Sequence, residues 1–111
     1  MKQPTKYKDE KAASLLMQFA AEYFTIESSK DSLITVTKAE IENRGKHATI
    51  YFTALPQEKE EAALEFAKRR KRDFRQFVMS KKSFGFAPNI DFQIDYGEHN
   101  RQRIDELSNQ G

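Results

Sequence analysis

The sequence predicts an α+β sandwich: a three-stranded sheet with helices on one face. Three observations predict it. Apolar residues recur every three or four positions between residues 15 and 24 and again between 63 and 78, the period of a helix with one buried side. Between 33 and 55, and between 90 and 94, the period drops to two and β-branched residues accumulate, as half-buried strands require. The segments follow one another as α-β-β-α-kink-α-β along 111 residues, near the commonest domain size and long enough for one core. Residues 1–111 read as a single domain, with 1–8 and 97–111 flexible or peripheral.

The elements follow in order. Residues 1–8 are polar and lysine-containing, and are expected to fray. Leu15, Leu16, Phe19, Ala20, Tyr23 and Phe24 share one side of a helix placed at about 9–25. Ser28-Ser29-Lys30-Asp31-Ser32 is a loop. From Leu33 the alternation sets Leu33, Thr35, Thr37, Ala39 and Ile41 on one face of a strand and Ile34, Val36, Lys38 and Glu40 on the other. Asn43-Arg44-Gly45-Lys46 is a turn in which Gly45 is free to take positive φ. The run from Ala48 to Leu55 is a second strand, antiparallel to the first.

Pro56 ends that strand. Glu58, Glu60 and Glu61 open the longest helical pattern, where carboxylates suit the positive end of the helix dipole. The pattern runs to about Lys82, and Ala63, Phe66, Ala67, Phe74, Phe77 and Val78 form its apolar stripe. Arg70 falls inside that stripe. A buried arginine is costly, so either its side chain snorkels out or the helix bends near 69–73. The segment 83–88 is a connector, with Gly85 to stop the helix and Pro88 unable to continue it. Ile90, Phe92 and Ile94 alternate with polar residues as a third strand. Ile104 and Leu107 suggest a short terminal helix.

Charge is distributed unevenly. The whole chain carries 19 Lys and Arg against 17 Asp and Glu, a balance of +2. Residues 68–82 hold Lys68, Arg69, Arg70, Lys71, Arg72, Arg75, Lys81 and Lys82 against one acid, Asp73, a balance of +7. The rest of the chain is then at −5. Such a patch is an electrostatic footprint for a polyanion. The alternative is a solvated helix face complementing the negative helix end, which accounts for two or three cations in a last turn but not five in succession in mid-helix. The eight cations are therefore the candidate nucleic-acid contacts. Phe74 and Phe77 lie on the apolar stripe and read as core; Phe84 and Phe86 are open to either packing or base stacking.

Several classes of chemistry are excluded or unsupported. With no cysteine there is no disulfide, thiolate zinc site or cysteine nucleophile. Charged residues in the first stretch leave no place there for a signal peptide, and no apolar run approaches the roughly 20 residues of a membrane span; a cytoplasmic location is expected. His47 reads as a packed or turn residue and His99 as part of a polar tail. Glu60-Glu61 reads as dipole partners rather than an acid/base pair. No glycine-rich phosphate loop, metal-ligand spacing or nucleophile-with-base pattern is present, so no cofactor, metal or small-molecule substrate is expected.

Four blocks resemble a known family. Leu33-Ile34-Thr35-Val36-Thr37-Lys38-Ala39-Glu40-Ile41 resembles the pattern F-V-x-V-T-x-V-x-V of ribosome-binding factor A. His47-Ala48-Thr49-Ile50-Tyr51-Phe52-Thr53 is similar to that family's H-A-x-V-Y-V-S strand, at the same distance. Pro88-Asn89-Ile90-Asp91-Phe92 looks like its P-x-L-x-F, and Arg103-Ile104-Asp105-Glu106-Leu107 like its R-I-x-E-L-L. The helix at 9–25 fits the family's first helix.

The resemblance implies a type II KH-like domain in which a helix-kink-helix marked Ala-x-Gly replaces the G-x-x-G loop. It implies a non-enzymatic assembly factor that binds the small (30S) ribosomal subunit and 16S rRNA; a monomer is expected. The family assists late maturation, including processing of the rRNA 5′ end, and is linked to growth in the cold. The chain departs from the pattern at one place: the Ala-x-Gly positions fall on Arg70-Lys71-Arg72, where both small residues are replaced by long ones. The kink is expected to persist with the cations splayed outward. The rival readings are a general KH-type RNA binder without ribosome specificity, a module whose basic helix docks an acidic protein, and a small ferredoxin-like hydrolase, for which no anion-binding loop is found.

Overall fold

A computed structural model describes residues 3–27, 32–81 and 87–97. Its elements are α1 (Gln3–Glu27), β1 (Leu33–Glu42), β2 (His47–Leu55), a 3-10 turn (Gln57–Lys59), α2 (Glu60–Arg69), α3 (Lys71–Ser80) and β3 (Asn89–Ile94). This is the expected α-β-β-α-kink-α-β order. Residues 28–31 of the expected loop at 28–32, most of the connector after Lys81 and the terminal helix around Ile104 lie outside the described residues, as do Phe84, Phe86 and His99.

Helix α1 begins at Gln3, earlier than its apolar period indicates. Pro4 sits in the first turn, where its missing N–H has no intrahelical partner to lose, and the lysine-, glutamate- and alanine-containing stretch that follows has good helix propensity. Leu16, Phe19, Ala20, Tyr23 and Phe24 are the residues it buries. Only the second half of the helix therefore carries a periodic signal.

The sheet has the order β1-β2-β3. β1 and β2 pair antiparallel from Leu33↔Leu55 to Glu42↔His47. β2 and β3 pair parallel from His47↔Asn89 to Phe52↔Ile94, and the α2–α3 segment is the crossover that a parallel pair demands. Ala48, Ile50, Phe52 and Ala54 of β2 and Ile90, Phe92 and Ile94 of β3 point to the helices and are buried. The opposite face carries Thr49, Tyr51, Thr53 and Gln93.

Strict alternation fails in β1. The register shifts between Val36 and Lys38, where Thr37 is an extra residue. This bulge puts Ile34 and Val36 on the same face as Ala39 and Ile41, the face that packs on the core, so the division of β1 expected from uninterrupted alternation is corrected at Thr37. The bulged hydroxyl is used: Thr37 Oγ1 donates to Asp95 Oδ2 at 2.5 Å.

Aromatic rings tie the layers together. Phe24 of α1 meets Phe92 of β3 edge-on at 5.5 Å and lies 6.4 Å from Phe52 of β2. Phe74 of α3 meets the same Phe92 at 5.7 Å. Phe24, Phe52, Phe74 and Phe92 are all fully buried, and each contributes about 1.5–3 kcal/mol by leaving water.

The β1–β2 turn needs more than one residue in the left-handed region. Asn43, Arg44 and Gly45 have φ of 54°, 57° and 85°. Gly45 N–H donates to Glu42 O and Lys46 N–H to Asn43 O, each at 3.1 Å. The glycine was expected there; the arginine beside it holds a conformation that costs a non-glycine residue about 1–2 kcal/mol.

Candidate nucleic-acid interface

The bend that the apolar stripe requires falls at Arg70. Its φ of −94° and ψ of 8° separate α2 from α3. Its amide is shared between the carbonyls of Phe66 and Ala67, both at 3.1 Å, and its own carbonyl accepts the amide of Phe74 at 2.8 Å. The ladder tightens for one residue and then restarts in a new direction. Ala63 and Ala67 before the bend, and Phe74 and Val78 after it, all become buried. Small residues at the bend are not needed, because Arg70 is turned out of the core.

Both outcomes foreseen for Arg70 occur together: the helix bends and the side chain reaches solvent, 42% exposed. Its guanidinium lies over the Phe66 ring, 5.2 Å from the centroid, and 4.0 Å from Asp73 Oδ2. Asp73 is the third residue of α3, where a carboxylate suits the helix N-terminus. It also accepts a hydrogen bond from the Tyr23 hydroxyl at 2.6 Å. Burial, and then the bond to that carboxylate, push the Tyr23 phenol up to about 12.

The remaining cations of the basic segment divide into two groups. Lys71 pairs with Asp91 of β3 at 2.9 Å. Arg75 donates to the carbonyls of Pro88 at 3.1 Å and Ala87 at 2.9 Å, fixing the chain where it enters β3. Lys81 pairs with Glu22 of α1 at 3.3 Å and lies over the Phe77 ring at 4.6 Å. These three, with Arg70, hold elements together as well as carrying charge. Lys68, Arg69 and Arg72 are exposed around the bend, and among the described residues no hydrogen bond or ion pair engages them. Lys82 lies outside the described residues.

Sequence reading missed a second basic group. Arg44, Lys46 and His47, with Asn43 and Asn89, line a shallow groove at the β1–β2 turn. Asn89 N–H donates to Lys46 O at 2.9 Å, which fixes this turn to the start of β3. His47 Nε2 lies 3.2 Å from Asp91 Oδ2, so Asp91 faces His47 on one side and Lys71 on the other. The hydrogen bond from Lys71 holds the Asp91 carboxyl below the usual carboxylate range. A short basic run at a turn was visible in the sequence, but only the parallel pairing of β2 with β3 brings it beside the kink.

Glu60 is buried at the start of α2, with the Ala54 amide 3.4 Å from Oε2, whereas Glu61 is exposed. Among the described residues no three His, Asp or Glu side chains are grouped to hold a metal, and no helix is long and apolar enough to cross a membrane.

The family model described as ribosome-binding factor A matches residues 8–108. No curated protein sequence matches the chain. The crystal structure of ribosome-binding factor A from Thermus thermophilus is similar at 20% identity and a TM-score of 0.70, covering 78% of this chain and 93% of that one. The Thermus thermophilus ribosome-binding factor A coordinates fitted into a cryo-electron microscopy map of a 30S complex are 21% identical, with a TM-score of 0.64 over 73% of this chain and 88% of that one. The solution NMR structure of a Thermotoga maritima protein assigned to ribosome-binding factor A is 25% identical, with a TM-score of 0.65 over 78% and 86% of the two chains.

Proposed function

We propose that this chain, which belongs to the ribosome-binding factor A family, binds the small (30S) ribosomal subunit through 16S rRNA and assists its late maturation, including processing of the rRNA 5′ end. The observation that carries this reading is the family match over residues 8–108. It is supported by the shared fold of a Thermus thermophilus factor fitted into a 30S complex.

The basic bend supplies the contact. Lys68, Arg69 and Arg72 are exposed and take phosphates first, with Arg70 and Lys71 at the bend and Lys81 and Lys82 following in sequence. Phosphate neutralisation positions an RNA segment but does not read its sequence. The mechanism is therefore positional: a rigid helix-kink-helix holds one rRNA segment in a chosen conformation while other factors act on the subunit. The protein forms and breaks no covalent bond, acts as a cytoplasmic monomer and matters most for growth in the cold, where misfolded RNA escapes slowly.

Co-sedimentation with purified 30S subunits, 50S subunits and free tRNA tests the reading. Selective travel with 30S that weakens steeply as salt rises is the expected result. Equal travel with every RNA reduces the function to general RNA binding. Travel with none removes the ribosomal reading and leaves a basic surface for an acidic protein.

A further inference from the structure

The second basic group has no part in the contact just described, yet it is continuous with it. From the bend, Lys71 reaches Asp91 at 2.9 Å, and Asp91 reaches His47 at 3.2 Å. His47 opens onto the groove that Arg44 and Lys46 line with two amide side chains, Asn43 and Asn89. That lining holds no carboxylate. Asp91 is already engaged by Lys71 and His47, and Glu42 sits opposite His47 in the strand register.

The backbone at this point is informative too. Arg44 is held at a φ of 57° between Asn43 and Gly45, a conformation in which glycine or asparagine costs less. Strain of this kind concentrates at ligand contacts. Two turn hydrogen bonds and the Asn89–Lys46 bond fix the loop, so its two cations are presented on a rigid support with little ordering left to do on binding.

We propose that the β1–β2 turn is a second phosphate-backbone contact, in which Arg44 and Lys46, flanked by His47, take RNA phosphates next to those held at the Arg70 bend. The inference rests on the RNA-binding reading and extends its footprint from one helix bend around the β3 side of the domain. The partner chemistry is that of a nucleic-acid backbone: successive phosphates, met by two cations, an imidazole and two amides.

The test compares wild type with Arg44→Gly, Lys46→Gln and the double variant, each titrated with purified 30S subunits over a series of salt concentrations. Loss of two phosphate contacts is expected to reduce the salt slope by roughly 1.4–1.8 and to weaken binding about fivefold or more near 0.1 M salt. Arg44→Gly alone is expected to raise Tm by roughly 2–4 °C through relief of the turn while weakening binding. A purely structural role for Arg44 does not predict those opposite signs. If wild type binds and the double variant matches it in affinity and slope, this inference is overturned and the RNA-binding reading stands. If wild type fails to bind at low salt, both fall.

Discussion

Tyr23 of α1 donates a 2.6 Å hydrogen bond to Asp73, fifty positions along the chain and three into α3. The same ring meets Phe74 edge-on at 5.4 Å and lies 5.4 Å from Phe77. One tyrosine therefore clamps the downstream limb of the bend to the first helix, with its polar end on Asp73 and its apolar body on the next aromatics. Arg70, 4.0 Å from Asp73, completes the arrangement from the bend itself.

Tyr23→Phe keeps the ring packing and removes the hydroxyl. It is expected to cost about 1–2 kcal/mol at neutral pH, since Asp73 is partly solvated and water replaces part of the bond. The sign at high pH is also fixed. The phenol is held neutral in the folded state up to about 12, against an ordinary value of 10.0, so its contribution is full below 10 and is lost as pH rises through 12. Urea unfolding at increasing alkaline pH should show wild type converging on Tyr23→Phe over that interval.

The bend should survive without its arginine. Arg70→Ala loses a contact over Phe66, a long ion pair and an interaction with the Tyr23 hydroxyl, all made by a side chain 42% exposed, and is expected to cost about 1 kcal/mol with helical circular dichroism unchanged. Ala67→Leu, one turn earlier, has no room: Ala67 is fully buried, and overpacking there should cost about 1–3 kcal/mol. Thermal melts of the two variants check the contrast. A large loss in Arg70→Ala would show that the side chain itself builds the bend.

Asp91→Asn releases Lys71 and reduces the negative charge between the bend and the β1–β2 turn. Stability should change by about 1 kcal/mol or less, because both partners are near half-exposed. The carboxyl is depressed in the folded state, so its contribution is present above the ordinary carboxylate range and is lost as pH falls through the depressed value. Affinity for 30S subunits should rise, because the phosphate at Lys71 no longer competes with a carboxylate for its ammonium group. Unchanged binding would mean that Lys71 faces no RNA.

The sequence made the helical stripe and the strand alternation legible, and the conflict between Arg70 and its stripe announced a bend. Three features were not legible. The bulge at Thr37 reverses which β1 residues reach the core, because one extra residue in a period of two exchanges the faces. The start of α1 at Gln3 carries no apolar period. The meeting of His47 with Asp91 depends on a parallel strand pairing that joins residues far apart in sequence. The same limit applied to the candidate site. The basic run was plain as composition, but which cations are engaged, as Arg75 is with two carbonyls, and which have no hydrogen bond or ion pair among the described residues, as is so for Arg72, is a matter of three-dimensional neighbours.

In the proposed function, Lys68, Arg69 and Arg72 at the bend hold the ribosomal subunit. The most direct measurement is a titration of 30S subunits with wild type and with Lys68→Glu/Arg69→Glu/Arg72→Glu over a range of salt concentrations, after circular dichroism has shown both to be folded. If about five phosphates are engaged, wild type should show a log–log salt slope of roughly −3.5 to −4.5, and the folded variant should lose binding. A slope near zero, or a folded variant that binds as wild type does, would contradict that role for the three cations.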